Sequence, residues 1–389
     1  MPSEGYELTP EQLARQEARK LKRQKKKEEL ANSAPPAQTE DNGAIVFRPW
    51  LTVQAPSSDN VEIIKLMTWN LLAQCLVRPE KLHGCLIAYR NDAFEKADAT
   101  VIQYDDVNVR SEGSDSAQKG LSFRTRNIAS IVGLKRKGSD DDGVVVATTH
   151  LFWHPSYSYE RARQAGLLMR ETIRFRDTSG HPNWPCVLTG DFNFTPIDPG
   201  YSLLVGDQLL PAQEDRLARS RVVHASVDPS VPVTGPKAEE EDEASENDAE
   251  MDSDHVLTNA RNAEAADGLL STSELLDLYA TPSRPRSAYD LGQRIMAKKD
   301  AASIRRCGER YKMPDARLGA FEPEWTSYTH FWKTVLDYIF IIDPPHRVSS
   351  VTRLLQSHKT DDMHPGLPRK GVSGSDHISL AAEIQWHNV

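Results

Sequence analysis

The chain reads as an α/β fold on three observations. Short, β-branched apolar runs of strand length recur along it, each ends in Asn, Asp or His, and a long amphipathic helix separates two of them. The polar ends belong to Ile63–Asn70, Val144–His150, Cys186–Asn193 and Val335–Asp343, with a fifth segment, Ser375–Leu380, in which an acid and a histidine precede an apolar pair. Side chains on strand-end loops converge above a rigid sheet, which is where α/β proteins keep their chemistry. Five such segments predict one shared site.

In chain order, residues 1 to about 60 carry little core material. Arg19, Lys20, Lys22, Arg23, Lys25, Lys26 and Lys27 crowd a helix-prone stretch, read either as a solvated charged helix or as a nucleic-acid or nuclear-targeting segment. A Pro- and Ser-containing linker over 34–58 follows, in which Phe47, Pro49 and Trp50 are expected to pack onto the domain. The first strand ends at Asn70; a helix cap is the competing reading of that residue. Residues 94–126 are polar and read as hairpins and loops. Two strands, 128–134 and 144–149, are joined by a Gly-Ser-Asp-Asp-Asp-Gly turn, and the second ends at His150, which reads as a site residue or as a satisfied interior imidazole.

Tyr159 to Arg176 is the clearest helix, because Ala165, Leu168, Met169, Thr172 and Ile173 form one stripe at helical spacing. The next strand stops at Gly190. Asp191 and Asn193 follow, and a carboxylate beside a carboxamide suits a magnesium-bound phosphate, although a simple Asx turn uses the same residues. Beyond Leu204, an insertion over about 225–320 is expected to be mostly disordered, its centre an acidic run from Lys237 to Asp254 that cannot bury a core; Leu269–Tyr279 reads as a helix within it. That run accounts for the net charge of −9 and so says little about the field at the site. Trp325–Trp332 is dense in aromatics, suited to core packing or to stacking unpaired bases. Asp337 lies inside an apolar run, where an acid is costly without a partner, and His377 is the obvious one.

Taken together, Met67-Thr68-Trp69-Asn70-Leu71-Leu72-Ala73, Thr149-His150-Leu151, Gly190-Asp191-Phe192-Asn193, Leu336-Asp337-Tyr338-Ile339 and Ser375-Asp376-His377 resemble the endonuclease/exonuclease/phosphatase superfamily, most closely its nocturnin-like RNA exonucleases and carbon catabolite repressor deadenylases. The resemblance covers roughly 63–204 and 325–384 and implies a four-layer α/β sandwich of the deoxyribonuclease I type. It also implies that Asn70, Asn193 and His150 contact the scissile phosphate, and that Arg163, in an Arg-x-Arg-Gln pattern, meets backbone phosphates or is simply solvated. One departure stands out. After Gln74 the family pattern has a helix and a strand ending Leu-Gln-Glu, whose Glu is the principal magnesium ligand; here Arg78-Pro79-Glu80-Lys81-Leu82 leads straight into His83–Arg90, and Glu80 is the nearest substitute. Loss of an interior strand would leave an incomplete sandwich.

The chemistry expected is magnesium-dependent phosphodiester hydrolysis, with manganese as the alternative ion. Asp191 and Asp376 hold the metal, and His377, oriented by Asp337, acts on the attacking water. The substrate expected is RNA, cut from its 3′ end, with poly(A) or a ribosomal RNA precursor as candidates. A catalytically impaired RNA-binding protein and a small-molecule phosphatase are the alternatives. The four cysteines show no metal-ligand spacing, the amino terminus is polar, and no apolar run approaches a membrane span, so the expected setting is reducing and intracellular, cytoplasmic or also nuclear, with no membrane partner.

Overall fold

A computed structural model describes residues 46–56, 63–71, 84–139, 141–233 and 257–388, which fall in one compact unit, Val46–Val389. The basic run before residue 45, Glu80, and the acidic run from Lys237 to Asp254 lie outside the described residues.

The strands are β1 Trp50–Thr52, β2 Ile63–Thr68, β3 Phe94–Gln103, β4 Ile128–Arg136, β5 Gly143–His150, β6 Cys186–Asp191, β7 Val222–His224, β8 Ala260–Asn262, β9 Arg286–Ser287, β10 Ser327–Tyr328, β11 Lys333–Thr334, β12 Asp337–Ile342, β13 Arg347–Leu355 and β14 Leu380–Asn388. The helices are α1 Asp115–Lys119, α2 Ser158–Thr178, α3 Pro199–Val205, α4 Pro211–Arg219, α5 Thr272–Leu278, α6 Ala288–Ala297, α7 Cys307–Tyr311 and α8 Thr360–Met363. None of the described helices is long and apolar enough to cross a membrane.

Two sheets form the sandwich: six strands in the order β3-β4-β5-β6-β12-β9 and four in the order β1-β13-β14-β2. Residues in β6 and β12 are buried throughout, because these strands are covered on both faces. Their side chains alternate. Cys186, Leu188, Tyr338, Phe340 and Ile342 join the core beneath α2, α3 and α4, whereas Val187, Ile339 and Ile341 join Ile64, Val351, Leu380 and Ile384 between the sheets. On the far side of the four-stranded sheet, Ile63 and Met67 are exposed. The α/β sandwich is therefore present.

The predicted helix over 159–176 is α2. Four of its five stripe residues, Ala165, Leu168, Met169 and Thr172, are buried, and Ile173 is partly so. The insertion differs from expectation, because residues 257–320 carry β8, α5, β9, α6 and α7. Leu270, Leu275 and Tyr279 reach the core under α2, and the Tyr279 hydroxyl donates to Ala162 O. A Ser271–Glu274 capping box starts α5. The helix read over Leu269–Tyr279 is α5, shorter at both ends, and these apolar residues anchor it. At the N-terminal side Trp50 enters β1, which pairs with β13, but Phe47 is exposed.

Candidate active site

The site is a product of register. β5 runs parallel to β6 with His150 opposite Asp191, and β12 runs antiparallel with Asp337 opposite Asp191. Neighbouring strands lie about 4.8 Å apart, so these three residues form one transverse row at the same end of the sheet. The other sheet delivers the rest: Thr68 pairs with Leu380, placing Asn70 and His377 just past the end of that ladder. Gly190 has φ +125°, and a Cβ there would overlap the carbonyl oxygen of Thr149. Only glycine lets the chain turn so close to β5 before Asp191.

Asp191 Oδ2 is the focus. Asn70 Nδ2 donates to it at 3.1 Å, and His150 Nε2 and His377 Nε2 lie 3.6 and 3.7 Å away. Its other oxygen, Oδ1, accepts the backbone N–H of Asn193 at 2.9 Å. One oxygen of Asp191 thus makes the Asx turn, and the other is turned toward Asn70, His150 and His377. Asn193, at φ +50°, gives an amide proton to Leu151 O at 2.9 Å, so it fixes the turn, where the family pattern has it on phosphate.

At the β12 end of this row, Asp337 is 0% exposed and bonds His377 Nδ1 through Oδ2 at 2.7 Å. The hydroxyl oxygen of Thr326 accepts from the N–H groups of Leu336 and Asp337. Burial disfavours charge on His377, but Asp337, then Asp191 and Asp376, outweigh it and hold the imidazole up to about 10. Three acids around one imidazole favour its protonated form.

The donor set suits a hard divalent ion. Ligand atoms of Asp191, Asp337 and His377 lie within 4.8 Å of one another. Asp337 Oδ2 is taken by His377 Nδ1, whereas Asp337 Oδ1 and Asp376 Oδ1, the latter 4.0 Å from His377 Nε2, are buried without a hydrogen-bond partner, and orphaned anionic oxygens at this cluster suit a cation. No glutamate belongs to this cluster among the described residues.

Supporting residues were not legible beforehand. Asn127 Nδ2 donates to His150 O at 2.9 Å, and Gln164 Oε1 accepts from Phe152 N–H at 3.0 Å, so the loop after β5 is held from two sides. Arg163 is not at the surface. It is fully buried, paired with Glu160 at 2.7 Å and bonded to the carbonyls of Tyr104 and Lys119, which leaves no face for a phosphate. The aromatic segment divides: Trp325 is core, whereas Phe331 and Trp332 are 70% and 50% exposed. Trp332 Nε1 donates to Ser327 Oγ, and Ser327 bridges to His377.

The model of the Endonuclease/Exonuclease/phosphatase family matches residues 39–377. A probable RNA exonuclease from Schizosaccharomyces pombe is 27% identical over 319 residues, 78% of this chain and 60% of the relative. The CCR4-Not complex 3′-5′-exoribonuclease subunit Ccr4 of Candida albicans is 30% identical over 136 residues, 32% of this chain and 17% of that protein. The crystal structure of ANGEL2, a 2′,3′-cyclic phosphatase, in complex with adenosine-2′,3′-vanadate is 16% identical, with a TM-score of 0.49 over 88% of this chain and 99% of that one. The chain spans about three-fifths of the length of the curated relatives it matches first.

Proposed function

Because the chain belongs to the Endonuclease/Exonuclease/phosphatase family, we propose that it is a divalent-metal-dependent RNA exonuclease that hydrolyses phosphodiesters from the 3′ end. The observation that carries this reading is the convergence of Asn70, His150 and His377 on Asp191 Oδ2, with Asp337 behind His377.

A phosphodiester resists attack because its own charge repels nucleophiles, so charge must be offset and water activated. Asp191 and Asp376 would hold magnesium, or manganese in its place, and the ion would offset phosphate charge. Asn70 and His150 donate to non-bridging phosphate oxygens from the row beside Asp191. Asp337 occupies Nδ1 of His377, so Nε2 alone faces the site. With a cation held by Asp191 and Asp376 offsetting the acids that keep the imidazole protonated, Nε2 gives up its proton and is free to take one from the attacking water. The half-exposed ring of Trp332, tied to the His377 segment through Ser327, and Trp153, three residues past His150 and 42% exposed, offer stacking faces for unpaired bases. Single-stranded RNA fits such faces, and poly(A) or a ribosomal RNA precursor is the proposed substrate.

The test is incubation of the purified chain with 5′-labelled oligoadenylate and magnesium or manganese. A ladder shortening from the 3′ end is expected, abolished by Asp191→Ala and by His377→Ala. Wild-type hydrolysis by either variant would remove this site. RNA binding without turnover in both ions would favour a protein that keeps the fold and has lost the reaction.

A further inference from the structure

The ladder between β2 and β14 ends at Thr68–Leu380, so the backbone that carries Asp376 and His377 lies past its last rung on that side. Two side chains take the place of the missing rungs. Trp69 Nε1 donates to His377 O at 3.0 Å, and Ser375 Oγ donates to Asn70 O. The same Ser375 oxygen accepts the His377 N–H at 3.0 Å. Both backbone polar groups of His377 are thus held by side chains, and one hydroxyl joins the backbone of Asn70 to that of His377.

The opposite side of the segment is conventional. Tyr328 N–H donates to Asp376 O at 3.1 Å and Ile378 N–H to Thr326 O at 2.8 Å, forming the lateral contact with β10. Ser375 is 0% exposed, and its hydroxyl is fixed by donating to Asn70 O while accepting from His377 N–H. Trp69 is different, because its ring is 39% exposed. Core filling therefore does not account for a tryptophan here, whereas an indole N–H placed on His377 O does.

We infer that Trp69 and Ser375 form a clasp that positions His377 and Asp376 against Asp191 and Asn70. Neither side chain touches the reacting atoms; they are positioning residues, and this role rests on the hydrolytic reading above. Without the clasp, the 375–377 segment keeps its contact with β10 and the His377–Asp337 bond but loses its tie to residues 69–70, and it can shift relative to Asp191 and Asn70. A displacement of about 1 Å in a reacting group costs up to about 100-fold in rate. Substrate binding through His150, which lies on β5 of the other sheet, is not similarly affected.

The clasp is tested with the full chain in two variants, Trp69→Phe, which keeps an aromatic ring and removes the N–H, and Ser375→Ala. Each is expected to lower kcat by about 10- to 100-fold with KM changed less than about twofold, and Ser375→Thr, which keeps the hydroxyl, recovers part of the loss. In parallel, the Trp69 indole N–H resonance is expected to be protected from solvent exchange in the wild type and to lose protection in Ser375→Ala. That readout needs no turnover, so it stands even if the wild type hydrolyses no RNA. Unchanged kcat in Trp69→Phe in an active protein, or an unprotected indole in the wild type, overturns the clasp.

Discussion

One carboxylate oxygen, Asp191 Oδ2, faces the amide of Asn70 and the imidazoles of His150 and His377 at once, and the residue before it is what allows this. Gly190→Ala adds a Cβ against Thr149 O in a left-handed backbone, so a loss of roughly 3 kcal/mol of stability and collapse of activity are expected, checked by urea unfolding and RNA hydrolysis. Glu322 offers a separate test at this scale. It is fully buried, accepts the Tyr201 hydroxyl at 2.8 Å, and is pushed up to about 8 by burial and then by Asp290. The folded protein therefore binds a proton that the unfolded chain, titrating near 4.5, has released. Stability is expected to fall as pH rises from about 4.5 through about 8. Urea midpoints across that range should show the fall in wild type and a flatter profile in Glu322→Gln; a slope unchanged by the substitution would contradict the assignment.

Among the elements, α2 and its neighbours show how a helix can bury charge as well as carbon. Arg163 and Glu160 neutralise each other inside it, and Gln164 reaches the loop after β5, so the helix both fills the core and steadies the strand end that carries His150. α5 packs against the same helix through Leu275, which is fully buried. Leu275→Ala is therefore expected to cost about 2–5 kcal/mol in urea unfolding. A cost near zero would return this stretch to the disorder expected from its composition. The aromatic segment shows the opposite behaviour, since one short run supplies both a core residue, Trp325, and exposed rings at Phe331 and Trp332.

For the molecule as a whole, the sandwich brings the end of one sheet over the end of the other and closes an anionic centre between them. A divalent ion bound there stabilises the folded state by mass action. Manganese is therefore expected to raise the melting temperature of the wild type and to leave Asp191→Ala unmoved, measured by calorimetry. Asp191, Asp337, His150, His377 and Asn70 could be read from the chain because each ends, interrupts or follows an apolar run, where a polar group needs a reason. Trp69 and Ser375 stand in two of the motifs, but their roles, like those of Thr326 and Asn127, could not be read, since each acts by a hydrogen bond to backbone distant in sequence. Arg163 misled because arginine is solvated by default and is buried here only by virtue of Glu160. Apolar periodicity and the polar ends of its strands are local properties, so the amino-acid order alone determined the α/β class and the chemical inventory of the site. Which of those groups meet was decided by strand register and by the packing of one sheet on the other, because pairing energy depends on neighbours that only the folded chain supplies.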